Sequence, residues 1–188
     1  MEKKLDDMTN EELGMLFPII IVEPNPEWKS LYSKEKSLIE SILGSQNIIR
    51  IEHIGSTAVP NLCAKPTIDI LLEITDKINP VLIINRFKKI NYHFISKPEK
   101  LPPHMMFVKG YTINGFEGQA YHIHVRYSDD WDEIYFRDYL IQHPSVAAEY
   151  ALLKQKLATE FRNDRDIYTE RKSKFIKKIT LRARKEKK

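Results

Sequence analysis

The sequence is poor in the features that would place it outside the cytoplasm. It holds a single cysteine, Cys63, among 188 residues. One thiol can form no internal disulfide and supplies no Cys-rich zinc site. It is compatible with a reducing compartment, and a cytoplasmic location is expected. Long apolar runs are also missing. The longest, "FPIIIV" and "IDILLEI", fall far short of the roughly 20 residues that cross a bilayer. Met1 to Asn10 is charged and has no apolar core of a signal peptide. No membrane partner is expected. Internal repeats and low-complexity linkers are absent too, which argues against a solenoid or a string of modules.

What is present is the composition of a folded soluble domain, 42% hydrophobic and 30% charged. The length suits one domain with its own core. The net charge of +4 is unevenly placed: Arg171 to Lys188 carries ten Lys/Arg against one acid, so the rest of the chain is net negative. A basic terminus can meet acidic partners, but an acidic body argues against a nucleic-acid-binding face. The chain is expected to divide into an N-terminal helical extension (1–18), one domain (19–180) and a basic tail (181–188).

Periodicity then places the elements. "MTNEELGMLF" reads as a short helix with Thr9 as N-cap and Glu12 as its capping-box partner. An extended arm follows, "PIIIVEPNPEW". Pro26 to Leu43 reads as a helix with Trp28, Leu31, Leu38 and Ile42 inward and Gly44 as C-cap. "NIIRIEHI" and "TIDILLEI" read as strands, the second apolar on both faces except at Asp69 and Glu73, as in a buried central strand. "NPVLIINRFKKI" is a helix with Pro80 in its first turn. "YHFIS", "HMMFVKGY" and "QAYHIHVRY" are strands, the last two joined by a hairpin signalled by Asn114-Gly115. Three helices close the chain. The expected architecture is a single α+β domain whose C-terminal third is helical.

Chemistry-bearing residues concentrate in a few places. Gly55 lets the backbone turn sharply at a strand end. Ser56 offers a hydroxyl and an N–H to a phosphate, and a helix starting near Thr57 would add further N–H groups. Asp69 interrupts an apolar strand, and a buried carboxylate needs a cation, a metal or several N–H donors; Lys65 is one possible partner. Glu73 shares its face but lies roughly 13 Å along the strand, too far to bind the same ion. His122 and His124 project to one face and can ligate a metal or bind phosphate, with His53 a possible third member. Arg137 can form an ion pair or grip an anion. Tyr168 and Lys172 share a helix face. His93, His104 and His143 follow no pattern and read as surface or packing residues.

In combination, "HIGSTAVPNLCAKPTIDI", "HIHV", "FRDYLIQHP", "EYALLKQKLA" and "YTERKSKFI", in that order, resemble the GrpB family from Ile19 to Ile179. That resemblance implies a nucleotidyltransferase-like fold, a small mixed β-sheet flanked by helices. In some bacteria such a domain is fused to dephospho-CoA kinase, which points to nucleotide or phosphate chemistry. By resemblance, Gly55, Ser56 and Thr57 would cradle the phosphates of a nucleotide or phosphorylated small molecule. Lys65, Arg137 and Lys172 would clamp the anion, and Asp69 would bind Mg²⁺. His122 and His124 would join Asp69 in catalysis or in holding another divalent metal. One departure matters. Active nucleotidyltransferases carry a second carboxylate two residues after the first, and here that position is Leu71. The expectations are therefore nucleotidyl transfer to an acceptor, a silent binding module on the same fold, or a His/Asp metal site.

Overall fold

The computed structural model describes residues 4–95 and 104–187. It contains a five-stranded sheet of order β1-β2-β5-β4-β3. The strands are β1 (Ile48–Ile54), β2 (Thr67–Ile74), β3 (His93–Ile95), β4 (Met105–Thr112) and β5 (Gly115–Tyr127). β2 and β5 run parallel and every other neighbouring pair is antiparallel. The helices are α1 (Asn10–Leu16), α2 (Glu27–Leu43), α3 (Pro80–Lys88), α4 (Asp132–Gln142), α5 (Pro144–Glu160) and α6 (Arg165–Glu186). The expected α+β architecture with a helical last third is what forms. α6 continues through the basic stretch as far as Glu186. The proline-containing link before β4 lies outside the described residues.

Local chemistry explains most boundaries. Thr9 and Glu12 form the expected reciprocal capping box on α1. Gly44 ends α2 at φ +79, and Pro80 opens α3 under an Asn79 cap. Two details differ from expectation. Thr112 pairs with Gly115, so the turn residues of the β4–β5 hairpin are Ile113 and Asn114, and Gly115 begins the strand at φ +104. The Thr112 hydroxyl fixes this register by accepting from the Asn114 N–H and donating to the Gly115 carbonyl. On α2 the fully buried positions are Trp28, Glu35, Ile39 and Leu43, with Leu31 and Ile42 packed partly buried beside them. Glu35 turns inward because Tyr92 and Lys109 bond its Oε1 at 3.0 and 2.7 Å. Helical periodicity cannot reveal partners that come from other elements.

Strand alternation divides the sheet into two unlike faces. Ile68, Ile70, Leu72, Ile123, Val125 and Phe107 face α2 and α3 and form the main core. The opposite face carries Asp69, Leu71 and Glu73 on β2, beside Arg50, Glu52 and Ile54 on β1 and His122, His124 and Arg126 on β5. Glu73 is buried and satisfied by the Arg50 fork. Leu71 packs with Ile54 under Ile134 of α4. The Asp69 end of this polar face stays partly open. The arm before α2 crosses the body as expected, held by the Ile19 N–H to the Arg162 carbonyl and by a Val22–Ala64 bridge. Among the described residues no helix is long and apolar enough to cross a membrane.

Candidate functional site

The parallel pairing of β2 with β5 sets Asp69 beside His122 and Leu71 beside His124. Asp69 Oδ1 lies 3.2 Å from His122 Nδ1 and 3.6 Å from His124 Nε2. One donor atom from each of the three residues falls within 4.8 Å of the others. Burial by itself would raise the Asp69 pKa. Hydrogen bonds from both imidazoles outweigh it and hold the carboxylate ionised, well below its usual range. Burial lowers the His122 pKa despite the bond to Asp69, so this imidazole is neutral at pH 7. The site therefore presents an ionised carboxylate and a neutral His122 imidazole, the protonation states that bind metal, with the His124 ring beside them.

His122 has a further partner. Its Nε2 lies 2.7 Å from the Tyr111 hydroxyl, whose oxygen also meets Thr67 and Arg165. Such an outer hydrogen bond fixes the orientation of a metal-binding imidazole. Nothing in the spacing of Tyr111 marks it in the sequence. Only the β4–β5 hairpin brings it to His122.

Gly55 takes φ +72, and a Cβ there would sit 2.5 Å from Asp69 Oδ2. The glycine is needed because the protein's own carboxylate packs against it. Ser56 begins a single 3-10 turn, Ser56–Ala58, not the α-helix on which further phosphate-binding N–H groups would depend. The Thr57 hydroxyl is used internally, donating to the Thr67 carbonyl and meeting His53 Nε2, both at 3.0 Å. His53 turns to the other face of the sheet and stacks on Tyr32, so it does not join the Asp69 group. Burial lowers its pKa to about 4.

The cationic candidates separate. Lys172 stands 4.2 Å over the Tyr168 ring, with Lys65 on the same ring at 5.9 Å. Burial lowers both to about 8, in Lys65 reinforced by the neighbouring Arg165 and Lys172 charges, while Asp69 pulls both back up. Among the described residues neither lysine, nor Arg165, has a carboxylate in ion-pair contact. Arg137 lies elsewhere. It pairs with Glu52 at 2.8 Å and Asp138 at 2.7 Å and donates to the His53 carbonyl. It braces α4 against β1.

A cleft of about 610 Å³ opens over Gly55, Ser56, Asp69 and His124, and His104 also lines it. The other two patternless histidines lie outside it: His93 meets Asp6 at 2.9 Å and His143 stacks on Tyr139. The far wall of the cleft is the acidic start of α4, where Arg184 bonds Asp130 and Asp132. Sequence reasoning also passed over Lys154, which is fully buried on α5 and donates to the Cys63 carbonyl.

Burial lowers the Lys154 pKa from 10.5 to about 7. Between those values the unfolded chain holds the proton that the folded chain has released, so stability from this group rises with pH. It is lowest below pH 7, where the fold must bury a charged ammonium. In urea denaturation of wild type and Lys154→Met, the wild-type stability relative to the variant should increase from pH 7 to pH 9. No change with pH would refute the buried-ammonium account.

The fold and site together define a mixed-sheet α+β domain with one carboxylate–imidazole cluster at the end of its central strands. The chain belongs to the GrpB family, whose model, described as GrpB protein, matches residues 18–182. It is 36% identical over 166 residues to the glutamate-rich protein GrpB of Alkalihalophilus pseudofirmus, covering 86% of this chain and 93% of that protein. A UPF0157 protein of Halalkalibacterium halodurans is 33% identical over 186 residues, with 93% and 92% covered. The crystal structure of conserved protein GrpB from Enterococcus faecalis superposes with a TM-score of 0.77 at 32% identity, over 89% of this chain and 98% of that one. The overlap with Cid1 poly(U) polymerase, TM-score 0.49 at 10% identity, is too slight to carry an argument.

Proposed function

We propose that this chain binds one divalent metal at Asp69, His122 and His124, and with it a nucleotide or other phosphorylated small molecule. The convergence of three donor atoms within 4.8 Å carries this reading. The donor set decides which metal. Mg²⁺ prefers an all-oxygen octahedron, and two imidazoles with one carboxylate fit it poorly. The same set suits Zn²⁺, Mn²⁺, Fe²⁺ or Ni²⁺. Phosphate oxygens would meet the Gly55-Ser56 turn on the cleft side and the Lys65 and Lys172 ammonium groups on the other.

Nucleotidyl transfer is the second reading, supported by the family resemblance. A two-metal displacement needs bridging oxygens between ions roughly 4 Å apart. Leu71, where a second carboxylate would stand, is completely buried. That favours binding, or chemistry with one metal, over the usual two-metal transfer.

Isothermal titration tests this. Zn²⁺ or Mn²⁺ alone should bind with one ion per chain. At least one of ATP, GTP, CTP and UTP should then bind more tightly to the metal-loaded protein than to protein kept in EDTA. No metal uptake, or no effect of metal on any nucleotide, would overturn the proposal.

A further inference from the structure

Tyr111, which bonds His122, also lines a second, more enclosed hollow of about 270 Å³. Its walls are apolar and aromatic. Phe17 of the N-terminal arm, Tyr111 and Phe116 form a cluster with ring centroids 5.0, 5.1 and 5.2 Å apart. Phe116 is 47% exposed and Ile20 is 43% exposed. Two large apolar side chains are thus left in water at the rim of a cavity that their neighbours have already lined.

Two cations line the same hollow, Lys65 and Arg165. Arg165 lies 5.6 Å over the Tyr111 ring. With Lys172 nearby, three positive groups gather here, and among the described residues no carboxylate makes an ion pair with any of them. Asp69 is the counter-charge that Lys65 and Lys172 feel, and its Oδ1 already faces two histidines. Partly buried cations without an anion are costly to hold together, and a ligand anion would relieve that cost. Gln119 adds a directional group. Both bonds from its Nε2 stay inside the protein, to the Pro66 and Ala120 carbonyls at 2.7 and 2.9 Å. Its Oε1 is left to accept a hydrogen bond.

We propose that this hollow is a second binding subsite, taking an aromatic ring that carries a phosphate, with the ring against the wall that Phe17, Tyr111 and the exposed Phe116 form and the phosphate on Lys65 and Arg165. An aromatic wall with a small number of fixed polar groups is how ring-bearing ligands are usually held. A ring bearing an amino group gains a hydrogen bond to Gln119, which names the ligand class as a nucleobase-like phosphate. The inference rests on the phosphate-binding half of the proposed function and does not need the metal. Tyr111 joins the two sites, because its ring lines this hollow and its hydroxyl bonds the His122 that faces Asp69.

The test uses the full chain in EDTA, with phenyl phosphate, AMP, inorganic phosphate and phenol titrated separately and followed by calorimetry and amide chemical shifts. Phenyl phosphate or AMP should bind at least about 10-fold more tightly than inorganic phosphate or phenol, since each half of the ligand adds a contact. Shifts should centre on Phe116 and Gln119. Lys65→Met and Phe116→Ala should each weaken that binding by about 10-fold; Phe116 is exposed enough for its variant to fold. Aromatic phosphates binding no better than inorganic phosphate, or binding that neither variant affects, would overturn the proposal. Failure here alongside successful metal titration removes the subsite alone. Success here without metal uptake removes the metal reading alone.

Discussion

An Asp69→Asn variant should bind Zn²⁺ or Mn²⁺ at least roughly 100-fold more weakly than wild type, because losing even an outer hydrogen-bond partner of a metal ligand costs roughly 10–100-fold. The substitution keeps the shape of the side chain and removes only its charge. Asp69 is the one carboxylate in the group of three, and its Oδ1 lies 3.2 Å from His122 Nδ1 and 3.6 Å from His124 Nε2. A neutral His122 that donates from Nδ1 to Asp69 accepts the Tyr111 proton at Nε2. If His122 gave Nδ1 to a metal, its proton would sit on Nε2 and would be donated to the Tyr111 oxygen. Tyr111→Phe should therefore weaken metal binding by about 10-fold, less than Asp69→Asn does. Calorimetric titration of both variants, with circular dichroism to show that they are folded, checks the order. Equal affinity of Asp69→Asn and wild type would remove Asp69 from the ligand set.

Leu71→Asp should destabilise the fold by roughly 3–5 kcal/mol, the usual cost of an uncompensated buried charge. The substitution would install the carboxylate that an active nucleotidyltransferase has at this position. Leu71 has no exposed surface and packs with Ile54 and Ile134. The nearby arginines are already engaged: Arg50 with Glu73, Arg137 with Glu52 and Asp138, and Arg126 with the Met105 and Val125 carbonyls. Urea denaturation at neutral pH measures the loss. A variant as stable as wild type would mean that the α4 side of the sheet admits water, and the case against a two-metal site would fall with it.

Much of this was legible in the sequence because the signals are local. Thr9 and Glu12 announce the start of α1, Pro80 opens α3, and the apolar run around Asp69 marks a central strand. The pairing of His122 with His124 follows from strand period alone. What alternation could not give was the partner of Asp69, since that depends on β5 lying parallel beside β2. Tyr111 and Arg165 were missed for the same reason: each reaches the site from a distant element, and a tyrosine or an arginine is unremarkable by itself. Arg137 shows the opposite case. An arginine on a helix invites an anion-binding role, and the structure satisfies it with Glu52, Asp138 and a backbone carbonyl. Gly55 was read for its backbone freedom, but the group pressed against it is the Asp69 carboxylate.

The N-terminal arm has a consequence for the order of assembly. Phe17 supplies one wall of the aromatic hollow, yet the segment around it is fastened to the far end of the chain. The Ile19 N–H meets the Arg162 carbonyl, Asn163 donates to the Gly14 carbonyl across 149 positions, and Asn10 reaches Asp166 across 156. Any side chain at Gly14 would collide with the Asn163 carbonyl, so this clasp closes in only one register. Contacts between residues so far apart in sequence close late, after the loop entropy between them has been overcome. During synthesis the segment around Phe17 can settle only after Arg162, Asn163 and Asp166 have been made, and the aromatic hollow is completed only when these two regions meet.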